Sequence, residues 1–372
     1  MARIEKFVCR TVDKSRAPWR NGVRPQKSHL IISVEGKNAT RLTCFDKIMA
    51  EGVEHQGAVV LAPGIATNGW FFGLGANGGL YTEDSFASFL AQIGYIVYVY
   101  HPSYSEKAIN NHFRPCLKLG SSSAMPKYQM PAELSFEDLT VDVPIIIETV
   151  CEDARMDAVA WVGFSLGGML ILAYLAGAQT EKVNKVVVIG SPVIFNTFAE
   201  RALDKIARSQ KTEAALLLFA ANLGMASPLL ARLPDKALGL PSLGWPAMEM
   251  SNLSEKERKV FLADIIESIP PGLARSFLRF VREGFSPPGG ISFIEQLARR
   301  QTQVLFSCIY AANDGLVSLE NGYQIAEALS APLFMLPGSH NNLVTGSKRD
   351  QTAMIVGNFL CPERRKTNTL SP

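Results

Sequence analysis

Ser165 lies in Gly163-Phe164-Ser165-Leu166-Gly167, between the apolar run Ala158 to Val162 and a second run from Met169 to Ala176. A serine on a sharp strand-to-helix turn is presented to a ligand rather than packed, and glycines beside it leave space where any Cβ would collide. A hydroxyl is a weak nucleophile at neutral pH. It needs a base within hydrogen-bond reach, and the base needs a partner that fixes its tautomer. Of five histidines only His340 lies beyond the serine, in Pro337-Gly338-Ser339-His340-Asn341-Asn342. Asp314, in Ala311-Ala312-Asn313-Asp314-Gly315 after the apolar run Val304 to Tyr310, offers the carboxylate. Ser165 is therefore the expected nucleophile, His340 the general base and Asp314 the group that orients it. Each residue also has a bland reading: a loop serine, a surface-loop histidine, a turn aspartate before Gly315. Their order at the ends of successive strands favours the triad.

A tetrahedral oxyanion needs backbone donors as well. The amide of Leu166, at the amino end of the following helix, is one; Ile65, in the loop after the run Ala58 to Ala62, is the expected second. Gly64 would let the chain pass close to a substrate. His101 follows an apolar run and borders the same region, and a structural role is expected for it because His340 fills the role of base.

The elements that must position these groups can be read from periodicity. Ala58 to Ala62 and Tyr95 to Tyr100 read as strands joined by a helix from Asp84 to Ile93. A helix from Ser135 to Cys151 leads to the strand before Ser165, and Val183 to Ile189, Val304 to Tyr310 and Pro332 to Leu336 read as further strands, followed by a helix from Asp350 to Leu360. Uninterrupted apolar strands alternating with helices predict a parallel sheet covered on both faces, with function at the strands' carboxyl ends. His29 to Ser33 and Ala39 to Phe45 bracket the turn Glu35-Gly36-Lys37-Asn38 and predict an antiparallel hairpin at the sheet's edge.

This pattern divides the chain into an extended basic arm (1–28), an α/β core (29–192 and 300–361), a helical cap inserted between two core strands (193–299) and a polar tail (362–372). Within the cap, Ala214 to Leu230 carries no charge. Such a helix packs on the core, lines an apolar pocket or touches lipid; packing on the core is the reading expected here.

At 372 residues and 47% hydrophobic the chain can bury a large core, and a formal charge of +3 gives no ground for a nucleic-acid or membrane-surface partner. A basic RNA-binding arm at 10–28 is disfavoured because aromatics are nearly absent there. The six cysteines are scattered, with no Cys-x-x-Cys pair, so neither zinc nor a disulfide framework is expected. The start lacks a signal-peptide pattern, and no stretch is expected to reach the ~18 to 20 apolar residues of a membrane helix. These features predict a cytoplasmic protein without metal or cofactor.

The order Ser165, Asp314, His340, with Gly-x-Ser-x-Gly on a strand-turn-helix and a helical insertion after the next strand, resembles the α/β-hydrolase superfamily over nearly the whole chain. Pro131-Ala132-Glu133-Leu134-Ser135-Phe136-Glu137-Asp138-Leu139-Thr140-Val141-Asp142-Val143-Pro144 is similar to the segment before the nucleophile in acid-lipase-like and polyhydroxyalkanoate-synthase-like members. Two departures matter. Such lipases often carry His-Gly where this chain has Pro63-Gly64, which weakens the assignment of Ile65. The polymer synthases use cysteine where this chain has Ser165, which argues against polymer synthesis; the serine likewise excludes the dehalogenases and epoxide hydrolases, which use aspartate. The resemblance implies an α/β fold with a mostly parallel, doubly wound sheet. It implies a lipase- or esterase-type serine hydrolase acting through an acyl-enzyme on a hydrophobic, lipid-like ester or thioester. An acyltransferase with the same triad, and a non-catalytic binding protein on the same fold, are the competing expectations; oligomeric state is not legible.

Overall fold

The computed structural model describes residues 4–9, 19, 24–35, 40–114, 127–195, 209–231, 253–300 and 302–361. Its centre is a nine-stranded sheet: β1 (Ile4–Cys9), β2 (Pro25–Glu35), β3 (Thr40–Ala50), β4 (Gly57–Ala62), β5 (Tyr95–His101), β6 (Val159–Phe164), β7 (Val183–Ile189), β8 (Leu305–Ala311) and β9 (Leu333–Leu336). The spatial order is β1-β2-β3-β5-β4-β6-β7-β8-β9. β1, β2 and β3 pair antiparallel with one another and β3 with β5; the six strands from β5 to β9 run parallel. From β4 the chain crosses to β5 on one side and later to β6 on the other. The strand order therefore reverses at the carboxyl ends of β4 and β6, the place where such sheets bind ligands.

Both faces of the parallel part are covered. Along β6, Val159 and Trp161 enter one apolar cluster, whereas Ala160, Val162 and Phe164 enter the other. Alternate residues of one strand thus meet different helix layers, which is why the central strands β4 and β6 carry no polar side chain. Helices α1 (Trp70–Gly73), α2 (Phe86–Gln92), the short α3 (Glu106–Ala108), α4 (Phe136–Ala154) and α5 (Leu166–Gly177) flank the strands up to β7. α4 starts at a capping box in which Ser135 and Asp138 satisfy each other's backbone amides.

Between β7 and β8 the described residues form α6 (Gln210–Leu230), α7 (Glu255–Val260), a π turn (Phe261–Ile265), α8 (Pro271–Glu283) and α9 (Phe293–Ala298), with no strand among them. α10 (Leu319–Leu329) and α11 (Arg349–Leu360) complete the fold. Leu273, Phe280, Phe285, Ile294 and Leu297 belong to the same apolar cluster as Trp161, so the later part of the insertion is built into the core.

Three expectations need correction. Residues 4–9 and 25–28 of the expected arm are strand, because Cys9 to Ile4 pairs with His29 to Val34 and β2 starts at Pro25; 10–18 and the tail 362–372 lie outside the described residues. The hairpin of β2 and β3 does not mark the sheet's edge, since β1 lies beyond it. Lys211–Leu229 is, by length and composition, long and apolar enough to cross a membrane. Leu217, Ala220 and Leu223 of that helix are buried, but Leu218 is 67%, Met225 69% and Leu229 63% exposed. One face packs and the other is uncovered, because a stretch apolar all round carries no stripe to select a single buried face.

Candidate active site

Ser165 follows β6 directly and caps α5, with φ 50° and ψ −114°. A serine held at positive φ is strained, and such residues persist where surrounding structure over-determines them. Here the amide of Ser165 donates to the carbonyl of Ile189 at 2.8 Å, and the Trp161 indole donates to the carbonyl of Gly167 at 3.0 Å. A Cβ on Gly163 would lie 2.4 Å from the Gly167 carbonyl carbon, and one on Gly167 would lie 2.1 Å from the carbonyl oxygen of Ala62. Only glycine lets α5 come this close to β4 and β6.

Asp314 and His340 follow β8 and β9. His340 Nδ1 lies 2.6 Å from Asp314 Oδ2. Asp314 Oδ1 accepts the amides of Leu316 and Val317, each at 2.9 Å. The two loops are tied by the amide of Asn313, which donates to the carbonyl of Gly338 at 3.1 Å. The imidazole packs on Phe164, the neighbour of Ser165, with ring centroids 4.6 Å apart. Gly190 also stands beside it, where a Cβ would come within 3.1 Å of the ring. The structure thus joins His340 to Asp314 directly and sets the pair beside the serine turn through Phe164.

The loop after β4 closes against the same turn: a Cβ on Gly64 would sit 3.2 Å from that of Ser165. Ile65 and Ala66 form a turn in which Ala66 takes φ 60° and the Thr67 amide points back to the Gly64 carbonyl at 3.4 Å. The Tyr104 hydroxyl donates to the carbonyl of Gly64 at 2.8 Å. Leu166 is the first residue of α5, where backbone amides lack intrahelical acceptors. Tyr104 carries no sequence signal of this role, because its partner lies 40 residues away.

A second polar cluster surrounds Asp46, which is fully buried. His29 Nδ1 lies 2.7 Å from its Oδ1, with Lys27 Nζ and His112 Nε2 each at 3.4 Å. Its Oδ2 accepts from the Trp70 indole at 3.0 Å and from the Tyr81 hydroxyl, and His101 Nε2 lies 3.4 Å away. Burial works to push the Asp46 carboxyl up, but Lys27 and the three histidines outweigh it and hold it well below the usual range. His101 is buried there, which fits a structural role, and burial pushes its imidazole down. His29, Asp46 and His112 are also the donor types that bind a divalent cation, within 4.8 Å of one another. The Lys27 ammonium already supplies positive charge at that carboxylate, so an ion-pair network accounts for the cluster.

A family model described as the alpha/beta hydrolase fold matches residues 57–347. Among solved structures, a carboxylesterase of the ammonia-oxidizing thaumarchaeon Nitrososphaera gargenis is similar, with TM-score 0.56 and 14% identity over 90% of this chain and 99% of that one. A bromoperoxidase from Bacillus anthracis gives 0.53 and 16% over 88% and 99%. The thioesterase domain from the curacin biosynthetic pathway gives 0.51 and 16% over 91% and 99%. At these identities the likeness shows the fold. No curated protein matches the sequence significantly.

Proposed function

The chain belongs to the α/β-hydrolase fold family, and from that premise we propose that it is a serine hydrolase cleaving a carboxylic ester or thioester with a hydrophobic acyl group. The observation that carries the reading is the His340–Asp314 pair standing against Phe164, beside the strained serine turn. Ser165 Oγ attacks the acyl carbon as its proton passes to His340 Nε2. Asp314 holds the Nδ1 proton and favours the imidazolium that forms. The amides of Leu166 and Ile65 receive the negative charge on the carbonyl oxygen. Collapse expels the alcohol or thiol with the proton from His340. Water, deprotonated by the same imidazole, then attacks the acyl-enzyme and frees the acid and Ser165. The uncovered apolar face of α6, with Leu218, Met225 and Leu229, supports a hydrophobic substrate.

The test is labelling by a fluorophosphonate, with the adduct located by peptide mass spectrometry, alongside hydrolysis of p-nitrophenyl esters of increasing chain length. An adduct on Ser165 and turnover that rises from acetyl to longer acyl groups support the reading. Absence of labelling, or an adduct elsewhere, overturns it. Adding alcohol and amine acceptors separates hydrolysis from acyl transfer, since a product dominated by transfer at dilute acceptor makes the chain an acyltransferase.

A further inference from the structure

Three segments distant in sequence meet at one buried carboxylate outside the triad. Glu267, in the insertion, is 1% exposed. Its Oε1 accepts from Asn68 Nδ2 at 2.9 Å and from the amide of Ala108 at 3.0 Å, and its Oε2 from the amide of Lys107 at 3.0 Å. Its own amide donates to the carbonyl of Ala66 at 2.9 Å, and the Asn68 amide donates to Ile265 at 3.1 Å. A bridge between Thr67 and Ile266 completes the junction. Lys107 Nζ reinforces it from α3, donating to the carbonyls of Ala263 at 2.8 Å and Ile266 at 2.7 Å.

These bonds bear on Ile65. The Gly64 carbonyl and the Ile65 amide belong to one planar trans peptide, so fixing the carbonyl aims the amide the opposite way. That carbonyl takes the hydroxyls of Tyr104 and Thr67, and the next carbonyl but one, that of Ala66, takes the Glu267 amide. The turn is held on both sides of Ile65, one side by the core and the other by the insertion. We propose that Glu267 is a positioning residue that anchors the insertion to the turn carrying Ile65 and so sets the second oxyanion donor; this rests on the serine-hydrolase reading above.

Among the described residues every hydrogen-bond partner of the carboxylate is an N–H donor, so both oxygens accept. Glutamine at this position would turn an amide nitrogen towards those donors, and a protonated carboxyl would do the same with its hydroxyl. Burial pushes Glu267 up to about 7 against the opposing effect of Asn68, the amides of Ala108 and Lys107, and the Lys107 charge. The charged or titratable groups facing it are Lys107 on α3 and Tyr104 after β5, and Lys107 in turn interacts with Asp264.

The experiment compares wild type with Glu267→Gln and Glu267→Asp by hydrogen exchange of the 64–69 segment and by ester kinetics at pH 8. Expected are at least tenfold faster exchange of that segment in Glu267→Gln and a kcat lowered ~10- to 100-fold with KM within threefold, as for a misplaced catalytic group. Partial recovery is expected in Glu267→Asp, which keeps both acceptors. Unchanged exchange in folded Glu267→Gln, or faster exchange with wild-type kcat, overturns the proposal. If wild type is neither labelled nor turns over any ester, the hydrolase reading fails, and exchange still reports whether Glu267 holds the turn. Should Glu267→Gln not fold, Glu267→Asp decides: exchange of 64–69 faster than wild type with a lowered kcat supports the proposal, and wild-type exchange or wild-type kcat in that variant overturns it.

Discussion

Asp314 meets His340 at 2.6 Å through Oδ2, while its Oδ1 is taken by the amides of Leu316 and Val317. A carboxylate only accepts, so the Nδ1 of His340 carries a proton towards Asp314, and of the two neutral tautomers this pair selects the one with the lone pair on Nε2. The two amides fix the carboxylate plane, and that plane fixes the imidazole.

Asparagine at 314 can keep the two amide bonds through its remaining oxygen yet present an NH2 to Nδ1. That selects the wrong tautomer, so Asp314→Asn should lower kcat by ~10^4-fold while leaving the fold intact. Steady-state ester hydrolysis with circular dichroism as control checks this; a loss under tenfold would remove Asp314 from the triad.

Ser165 caps α5 without a side-chain hydrogen bond to it, so losing its hydroxyl should cost little stability. Ser165→Ala should keep the melting temperature within a few degrees and lower kcat by up to ~10^6-fold if the three residues act as a unit. A drop of only a few-fold would place the nucleophile elsewhere.

Glu267 titrates about 7 in the fold against 4.5 as a free side chain, so in that window the folded chain holds a proton that the unfolded chain has lost. Stability contributed by this group therefore falls as pH rises from 4.5 to about 7. Urea unfolding of wild type and Glu267→Gln across this range should give a difference that shifts against wild type with rising pH. A constant difference would show that the carboxyl does not titrate there.

The sign reverses at Asp46, whose carboxyl is held below the ordinary 3.8. Its contribution is complete above that value and is lost as pH falls through the lower folded value. Asp46→Asn leaves Lys27 and three imidazoles without their anion, so at pH 7 it should cost about 3 to 5 kcal/mol. Denaturant titration should show this deficit narrowing below pH 4, and a variant as stable as wild type at pH 7 would contradict the network.

Leu218, Met225 and Leu229 are exposed, so replacing all three with serine should leave the melting temperature nearly unchanged. If this face engages hydrophobic substrate, emulsified long-chain esters should be hydrolysed several-fold more slowly while a soluble acetyl ester is unaffected. A fall in melting temperature with no change in preference would make the face structural.

Much of the parallel sheet was legible because its strands are mostly apolar, the central β4 and β6 wholly so, and several are followed closely by Gly or Pro. The candidate residues stood out for a related reason: Ser165, Asp314 and His340 follow β6, β8 and β9, and His340 is the one histidine after Ser165. β1 was hidden because Ile4-Glu5-Lys6-Phe7-Val8-Cys9 lacks the alternation of a strand and a largely polar stretch separates it from β2. The Asp46 cluster and the Glu267 junction left no trace in spacing. Asp46 meets Tyr81 from 35 residues away, and Glu267 meets Asn68 from 199, so no local window holds both partners.

Phe280, Phe285, Ile294 and Leu297 share one apolar cluster with Trp161 and Leu170. A backbone nicked between Ala231 and Leu253 would therefore yield fragments that stay docked, the carboxyl-terminal piece bringing β8, β9, Asp314 and His340 and the amino-terminal piece bringing Ser165. Separately expressed, the two pieces are candidates for split-protein complementation, with burial of their shared aromatic surface driving reassembly.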